Sequence, residues 1–132
     1  MANIGRDFRI TSTVEMIIED GIFQCYFKDI DLLDIDTAKS SNEERLVLFN
    51  GRELPCFFDI SKVKNTTKEA RDFIANEGNA LVLATAILVT SPVLKMMANF
   101  FVSVNKPQNP TKVFTDKESA IQWLKQFRKI NS

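Results

Sequence analysis

The sequence contains no histidine, and its 132 residues include only four glycines and two cysteines. Without histidine there is no imidazole base, no imidazole metal ligand and no Ser-His-Asp triad. The four glycines are scattered singly, so no glycine-rich loop is present to cradle a phosphate group. Basic and acidic residues balance at 17 each, which argues against a nucleic-acid-binding surface.

The two cysteines, Cys25 and Cys56, each lie inside an apolar run, and their spacing matches no zinc or redox motif. Buried free cysteines behave as small hydrophobic residues and are typical of a reducing compartment. The first residues, MANIGRDFRITST, contain no apolar signal core. The longest apolar run is about half of what a membrane span requires. We therefore expect a cytoplasmic protein with no membrane span.

The most informative stretch that is present is ALVLATAILV, at residues 80–89. It carries no charge and lies between Gly78-Asn79 and Ser91-Pro92, both of which are turn or helix-start signals. Periodicity alone leaves a buried helix open, but the β-branched residues and the short length favour a strand that is buried on both faces. We expect residues 84–89 to be extended.

The remaining pattern predicts an α/β fold. Residues 13–19 and 22–28 alternate apolar and polar side chains around Asp20-Gly21, which indicates an antiparallel hairpin. Helical and strand-like segments then alternate, which implies parallel crossovers. We expect one domain over residues 1–132, with an ordered core at about 13–129 and a loose lead-in at 1–10. Its architecture would be a single-layer mixed β-sheet with about four helices. The sheet would begin with the antiparallel hairpin and continue with parallel strands. Helices are predicted at residues 37–50, 66–77 and 92–105 and after 115–118, and further strands at 54–60 and 112–114.

Two capping boxes are predicted, Thr66 to Glu69 and Thr115 to Glu118. The acidic linker at residues 29–36 has two interpretations. Its carboxylates invite a calcium site, but the linker lacks the glycine and terminal glutamate of a calcium loop. The alternative is a solvated loop in which Asp34 or Asp36 caps the next helix. We expect no metal site here.

Charge is unevenly distributed along the chain. Residues 1–60 carry 6 basic and 12 acidic side chains, whereas residues 61–132 carry 11 basic and 5 acidic ones. This asymmetry could guide a contact with a charged partner or a second copy. Alternatively, opposite charges pair within the fold.

A polar loop follows the predicted strand at residues 54–60. In a parallel sheet the carboxyl ends of strands face ligands and partners, and a helix N-terminus favours an anion. The loop is therefore a candidate phosphoswitch or partner loop. The alternative is that Asp59 only binds nearby backbone amides and that Thr66 only caps a helix. The candidate residues are Asp59, Ser61, Asn65, Thr66 and Thr67.

The third predicted helix carries more apolar surface than packing on one sheet requires. Met96, Phe100 and Val104 lie beside a thin polar stripe and widen the apolar face. These three residues are a candidate interface or ligand face, covered either by other parts of the chain or by something outside it.

Three segments together resemble the STAS or SpoIIAA-like group of anti-sigma-factor-antagonist domains. They are Asp59-Ile60-Ser61, the helix start NTTKEARDF, and AILVTSPVLKMMANFF. The resemblance implies a mixed sheet with helices packed along it. It also implies binding to a partner kinase, with phosphorylation of a Ser or Thr at the helix start. The switch motif Asp-Ser-Ser-Gly-Leu of the group would fall near Asn65-Thr66-Thr67-Lys68, where its Asp and Gly are absent.

These observations predict a non-enzymatic regulatory or protein-interaction domain that contacts a protein partner or forms a homodimer. A related branch of the fold transfers lipids, so the alternative is a carrier of a small apolar ligand or lipid that uses a cavity between the third helix and the sheet. An enzyme that uses Asp59 and the hydroxyl loop is a third hypothesis, and no acid–base pair supports it. We expect no catalytic residues and no cofactor.

Overall fold

A computed structural model describes residues 7–129 of the chain. These residues form one six-stranded sheet in which the strands are arranged in sequence order. The strands are β1 (Phe8–Ile10), β2 (Val14–Glu19), β3 (Ile22–Phe27), β4 (Leu54–Asp59), β5 (Val82–Leu88) and β6 (Thr111–Phe114).

The sheet is mixed, as the sequence predicts. β1, β2 and β3 pair antiparallel, with Glu19 opposite Ile22 across the predicted hairpin turn. Asp20 and Gly21 both adopt positive φ there, which a tight turn of this kind requires. β3 to β6 then pair in parallel. The apolar run at residues 80–89 supplies β5, whose residues Ala84 and Ala86 are fully buried.

Three helices connect the parallel strands, and a fourth follows the last strand. They are α1 (Ile35–Phe49), α2 (Lys68–Ala75), α3 (Pro92–Phe100) and α4 (Lys117–Lys125). A 3₁₀ turn (Glu77–Asn79) follows α2, and a π-helical turn (Phe101–Asn105) extends α3. No helix in residues 7–129 is both long enough and apolar enough to cross a membrane.

The two faces of the sheet are covered differently. The three crossover helices α1, α2 and α3 pack on one face, which we call the crossover face, against residues such as Cys25, Phe58 and Ile87. Helix α4 alone covers the other, the α4 face, where Phe57 and Leu124 are fully buried. Alternate residues of β4 and β5 therefore contact different helices, as the period of two in a strand requires.

The loose lead-in predicted for residues 1–10 is wrong for residues 8–10. β1 pairs along the outer edge of β2, and the Ile18 N–H donates to the Asp7 carbonyl at 2.7 Å. Three residues are too few for a strand period to be visible in the sequence. The earlier part of the lead-in lies outside the described residues.

Several helix ends also differ from prediction. Asp34 caps α1, so this helix begins before Thr37. Thr67, not Thr66, caps α2 by accepting from the Ala70 N–H, and Asp116, not Thr115, caps α4. In both cases the next residue along has a side chain that can accept the same kind of hydrogen bond, so the cap moves by one position. The predicted capping boxes are therefore wrong, because the residues at the N3 position become Ala70 and Ser119 instead of a glutamate. The second predicted helix is shorter, since α2 ends at Ala75. The third spans the predicted residues 92–105, but its last turn is π-helical from Phe101.

Candidate functional site

A cavity of about 150 Å³ lies between the crossover face and helices α1, α2 and α3. Its walls are mostly apolar because β2 to β5 each direct hydrophobic side chains to this face, and because α2, α3 and the π-helical turn add more. The apolar wall includes Met16, Phe27, Phe58, Ile87, Met97 and Phe101. The cavity therefore presents a hydrophobic surface of a kind that protein interiors ordinarily fill with side chains.

A few polar side chains line the same cavity. Asn42 and Arg45 come from α1, Arg71 comes from α2, and Asn79 comes from the 3₁₀ turn. In the described residues no carboxylate lines the cavity. A mostly apolar wall with a small number of polar groups is the usual make-up of a small-molecule site.

Arg45 connects α1 to the start of β5. Its Nη2 donates to the carbonyl oxygens of Gly78 at 3.2 Å and Ala80 at 2.9 Å. The guanidinium lies 4.7 Å from the centre of the Phe49 ring. Burial lowers the pKa of Arg45 from its ordinary value, because a charged guanidinium loses hydration there.

Both cysteines are buried free thiols on the crossover face, as the sequence predicts. Burial raises the pKa of Cys56 to about 12, and burial, together with the nearby Cys56, raises the pKa of Cys25 further. Cys25 also lines the cavity. A thiol with a raised pKa is a poor nucleophile at neutral pH, so these residues act as packing groups.

The predicted loop residues fall into separate hydrogen-bonded sets. Asp59 Oδ1 accepts from the Ser61 N–H at 2.9 Å and from the Ser61 hydroxyl at 2.5 Å, which closes a turn at the end of β4. Asn65 Oδ1 accepts from the Thr66 N–H at 2.8 Å. Among the described residues no hydrogen bond joins Asp59 or Ser61 to the other three. Asp59 is thus bound as the strand-end interpretation expects.

Thr66 and Thr67 lie at the start of α2. The Thr66 hydroxyl accepts from Arg71 Nη1 at 2.8 Å, and the Thr67 hydroxyl accepts from the Ala70 N–H at 3.1 Å. Both hydroxyls therefore have structural partners, and phosphorylation of either stays a prediction. Of the five loop residues, Thr66 alone lines the cavity.

The predicted face of the third helix is exposed. Met96, Phe100 and Val104 are each more than half exposed, and Val93 continues the same stripe. The opposite side of this element, with Leu94 and Ala98, is buried on the sheet. Its use as an interface stays a prediction.

The acidic linker matches the capping interpretation. Asp34 Oδ1 accepts from the Thr37 N–H at 2.9 Å, and this bond lowers the pKa of the Asp34 carboxyl. Across residues 7–129, no group of three or more Asp, Glu, Cys or His side chains is placed to hold a metal ion.

Comparison with known proteins places the chain in a family. Residues 16–128 match the model of a domain of unknown function, DUF7793. The chain belongs to this family. No curated protein matches it.

The fold of this DUF7793 domain is SpoIIAA-like. A solved structure from Shewanella loihica PV-4, an uncharacterised protein of the DUF3478 family with a SpoIIAA-like fold, is similar with a TM-score of 0.62. The two are 14% identical, and the match covers 84% of this chain and 91% of that one. At this identity the similarity shows the fold alone, and it confirms the SpoIIAA-like resemblance.

The sequence of this DUF7793 domain raised a cavity between the third helix and the sheet as part of the apolar-carrier alternative, but Arg45 was not among the predicted site residues. The signal for Arg45 was present, because Ala38, Ser41, Arg45 and Leu48 recur at helical spacing and all four are buried. A charged residue within the buried stripe of a helix indicates a special environment. The cavity itself has no local signal, since residues from β2 to the strand at Thr111 contribute to its lining.

Proposed function

We propose that this domain is a non-enzymatic binding protein that takes a small apolar molecule into the cavity beneath α1, α2 and α3. The observation that carries this proposal is the cavity itself, with a volume of about 150 Å³ and a mostly apolar wall. An enclosed cavity of this volume, lined by hydrophobic side chains, takes up a molecule the size of benzene in another protein, and this partly open cavity has room for a body of the same size. Occupation would restore the packing contacts that the empty space removes.

The chemistry of the wall supports binding over conversion. The side chains that line the cavity in the described residues include no carboxylate, and the one thiol, Cys25, has a raised pKa. General acid–base catalysis needs a positioned group that titrates near the working pH. Asp59, the remaining candidate, is bound to Ser61 and does not line the cavity.

An NMR titration with toluene tests this function. We expect saturable shift changes at backbone amides of α3 and β5 in the wild type, and loss of these changes in Ala98→Leu. Ala98 is buried and lines the cavity, so the larger side chain would occupy part of the volume. Asn99→Leu is the matched control, because it places the same side chain on the exposed side of α3.

Non-saturable shifts in the wild type, or equal binding by Ala98→Leu and the wild type, would contradict the proposal. Asn99→Leu should bind toluene as the wild type does.

A second candidate function is contact with another copy of the chain through the exposed stripe of Val93, Met96, Phe100 and Val104. Four large apolar side chains on one side of one element are typical of a protein interface. The cavity and the stripe lie on opposite sides of α3 and its π-helical turn.

Light scattering after size-exclusion chromatography tests the second function. We expect a dimer in the wild type and a monomer in Phe100→Ser, with Lys95→Ser as the control on the same helix. A wild type that stays monomeric at high concentration contradicts it.

A further inference from the structure

The side chain of Arg45 is almost completely buried, at 2% exposure. Its Nη2 is well supplied with acceptors, since it donates to Asn42 Oδ1 at 2.8 Å as well as to two backbone carbonyls of the segment before β5. Its Nη1 is buried and has no hydrogen-bond partner among residues 7–129. A buried donor without a partner is rare and calls for a specific explanation.

The charge of Arg45 is also unmatched. Other arginines pair with carboxylates, as Arg9 does with Glu44 and Arg52 with Asp7, but in the described part of the chain no carboxylate pairs with Arg45. The titratable groups that influence the pKa of Arg45 are the two buried thiols, Cys25 and Cys56. An arginine stays protonated in a protein, so this site holds a positive charge without a counter-charge. Such a charge is costly unless something pairs with it.

Arg45 lines the cavity, and so does Arg71. Arg71 donates through Nη1 to the carbonyl and hydroxyl of Thr66, while its Nε is buried without a partner among the described residues. The cavity wall is therefore mostly apolar, and two of its polar residues, Arg45 and Arg71, each have a guanidinium nitrogen without a partner among the described residues. A molecule that fits both features has an apolar body and a small acceptor group of negative charge.

We propose that the cavity binds a small organic acid whose carboxylate pairs with Arg45. The apolar body of this acid, about the size of a benzene ring, packs against Met97 and Phe101 in the cavity wall. This inference rests on the proposed function and names its ligand class. A carboxylate suits the site because it accepts charge-assisted hydrogen bonds from a guanidinium. A phosphate would bring more charge and more acceptor oxygens than the Nη1 of Arg45 and the Nε of Arg71 can satisfy, and the surplus would lie against apolar side chains.

Arg45 could instead serve only to hold the segment at Gly78 and Ala80. That role uses Nη2 alone and leaves Nη1 unexplained. The two roles differ in one measurable respect. A structural arginine would not make the cavity distinguish an acid from its neutral isostere, whereas an anchoring arginine would.

Calorimetric titrations with phenylacetate and phenylacetamide test the inference. The two molecules share a shape and differ in charge. We expect the wild type to bind phenylacetate about tenfold or more tightly, as hydrogen bonds to a charged group are worth more than neutral ones. Arg45→Met should bind both equally. Lys95→Met, which removes a positive charge from the exposed side of α3, should keep the wild-type preference.

The outcomes separate the two claims. If neither molecule binds the wild type although toluene does, the inference fails and the proposed function stands, whereas both fail if toluene does not bind either. If both bind the wild type equally, the cavity function stands and the inference is overturned. If Arg45→Met keeps the preference, or if Lys95→Met loses it, the inference is also overturned.

A second measurement needs no variant and so does not depend on Arg45→Met folding. The carboxyl carbon of ¹³C-labelled phenylacetate reports the pKa of the bound acid in a pH titration of the wild-type complex. Pairing with a guanidinium lowers that pKa below the value of the free acid, whereas burial without a cation raises it. We expect the lowered value, and a raised value would overturn the inference.

Discussion

The two faces of one sheet are packed in different ways. On the α4 face, Ala84, Ala86 and Ala120 are all buried, and their small side chains let α4 approach β5 closely. On the crossover face three helices cover the sheet, and a cavity of about 150 Å³ remains beneath them. The same strands supply both faces. The difference therefore comes from the side chains and the helices above them.

Under the proposed function, the α4 face carries stability and the crossover face carries binding. Close packing of small and large residues yields the stability of a core. Open volume and an unpartnered buried charge, as at Arg45, lower stability and are found where a ligand contributes the missing contacts. Binding would then stabilise the folded domain as well.

The largest expected difference in stability is between substitutions of two neighbouring phenylalanines on β4. Phe57 is fully buried on the α4 face, whereas Phe58 is partly buried and lines the cavity. We expect Phe57→Ala to lower the free energy of unfolding by about 3–5 kcal/mol, the usual cost of deleting a buried aromatic ring. Phe58→Ala should cost about 2 kcal/mol or less, since it enlarges space that already exists. Urea denaturation measures the free energy of unfolding of both variants. Equal losses would contradict the difference in packing between the two faces.

A smaller effect is expected from overpacking. Ala120→Leu should destabilise the domain by about 1–3 kcal/mol, because α4 has no room for the added carbons. Ala98→Leu, on the crossover face, should cost less than about 1 kcal/mol, because its added carbons enter the cavity. Thermal unfolding compares the two. A greater loss for Ala98→Leu would show that the cavity is not available to side chains.

The two thiols of the crossover face make the free energy of unfolding depend on pH in the alkaline range. In the unfolded chain a cysteine titrates near its ordinary pKa of 9.0, while in the folded state the pKa of Cys56 is about 12. The folded state therefore binds more protons above pH 9, so stability is fully present below that pH and falls as pH rises towards 12. The slope is roughly 1.4 kcal/mol per pH unit per thiol.

Cys56→Ala should flatten this slope between pH 9 and 11, even though the substitution lowers stability at pH 7. Urea titrations at several pH values give the comparison, with Cys25→Ala as a second variant. An unchanged slope in both variants would refute the assignment to the thiols.

The smallest effect on stability is expected at the exposed stripe. Phe100 is 53% exposed, so Phe100→Ser should change the free energy of unfolding by about 0.5 kcal/mol or less. Its effect on association should be large in comparison. A marked loss of stability in a monomeric sample would show that Phe100 belongs to the core instead.

The sequence could predict the elements that depend on local patterns. The hairpin at Asp20-Gly21 and the uncharged strand β5 follow from turn chemistry and period, and both are confirmed. β1 could not be predicted because three residues carry no period, and its pairing depends on the edge of β2. The caps of α2 and α4 were displaced because adjacent residues compete for one hydrogen bond.

The candidate site was only partly accessible to sequence reasoning. The exposed residues Met96, Phe100 and Val104 follow from helical spacing, which a single element determines. The cavity depends on how far three helices stand from the sheet, and that distance is not encoded in any one segment. Arg45 acquires its unusual environment from Gly78 and Ala80, more than thirty residues away.

The most direct test of the ligand site is a set of isotope-filtered nuclear Overhauser measurements on the wild-type domain with bound phenylacetate. Contacts from the ring protons should reach methyl groups of the crossover face, above all those of Ile87, Met97 and Ala98. Contacts to Ala84, Ala86 or Leu124 on the α4 face, or the absence of contacts at saturating phenylacetate, would contradict the account.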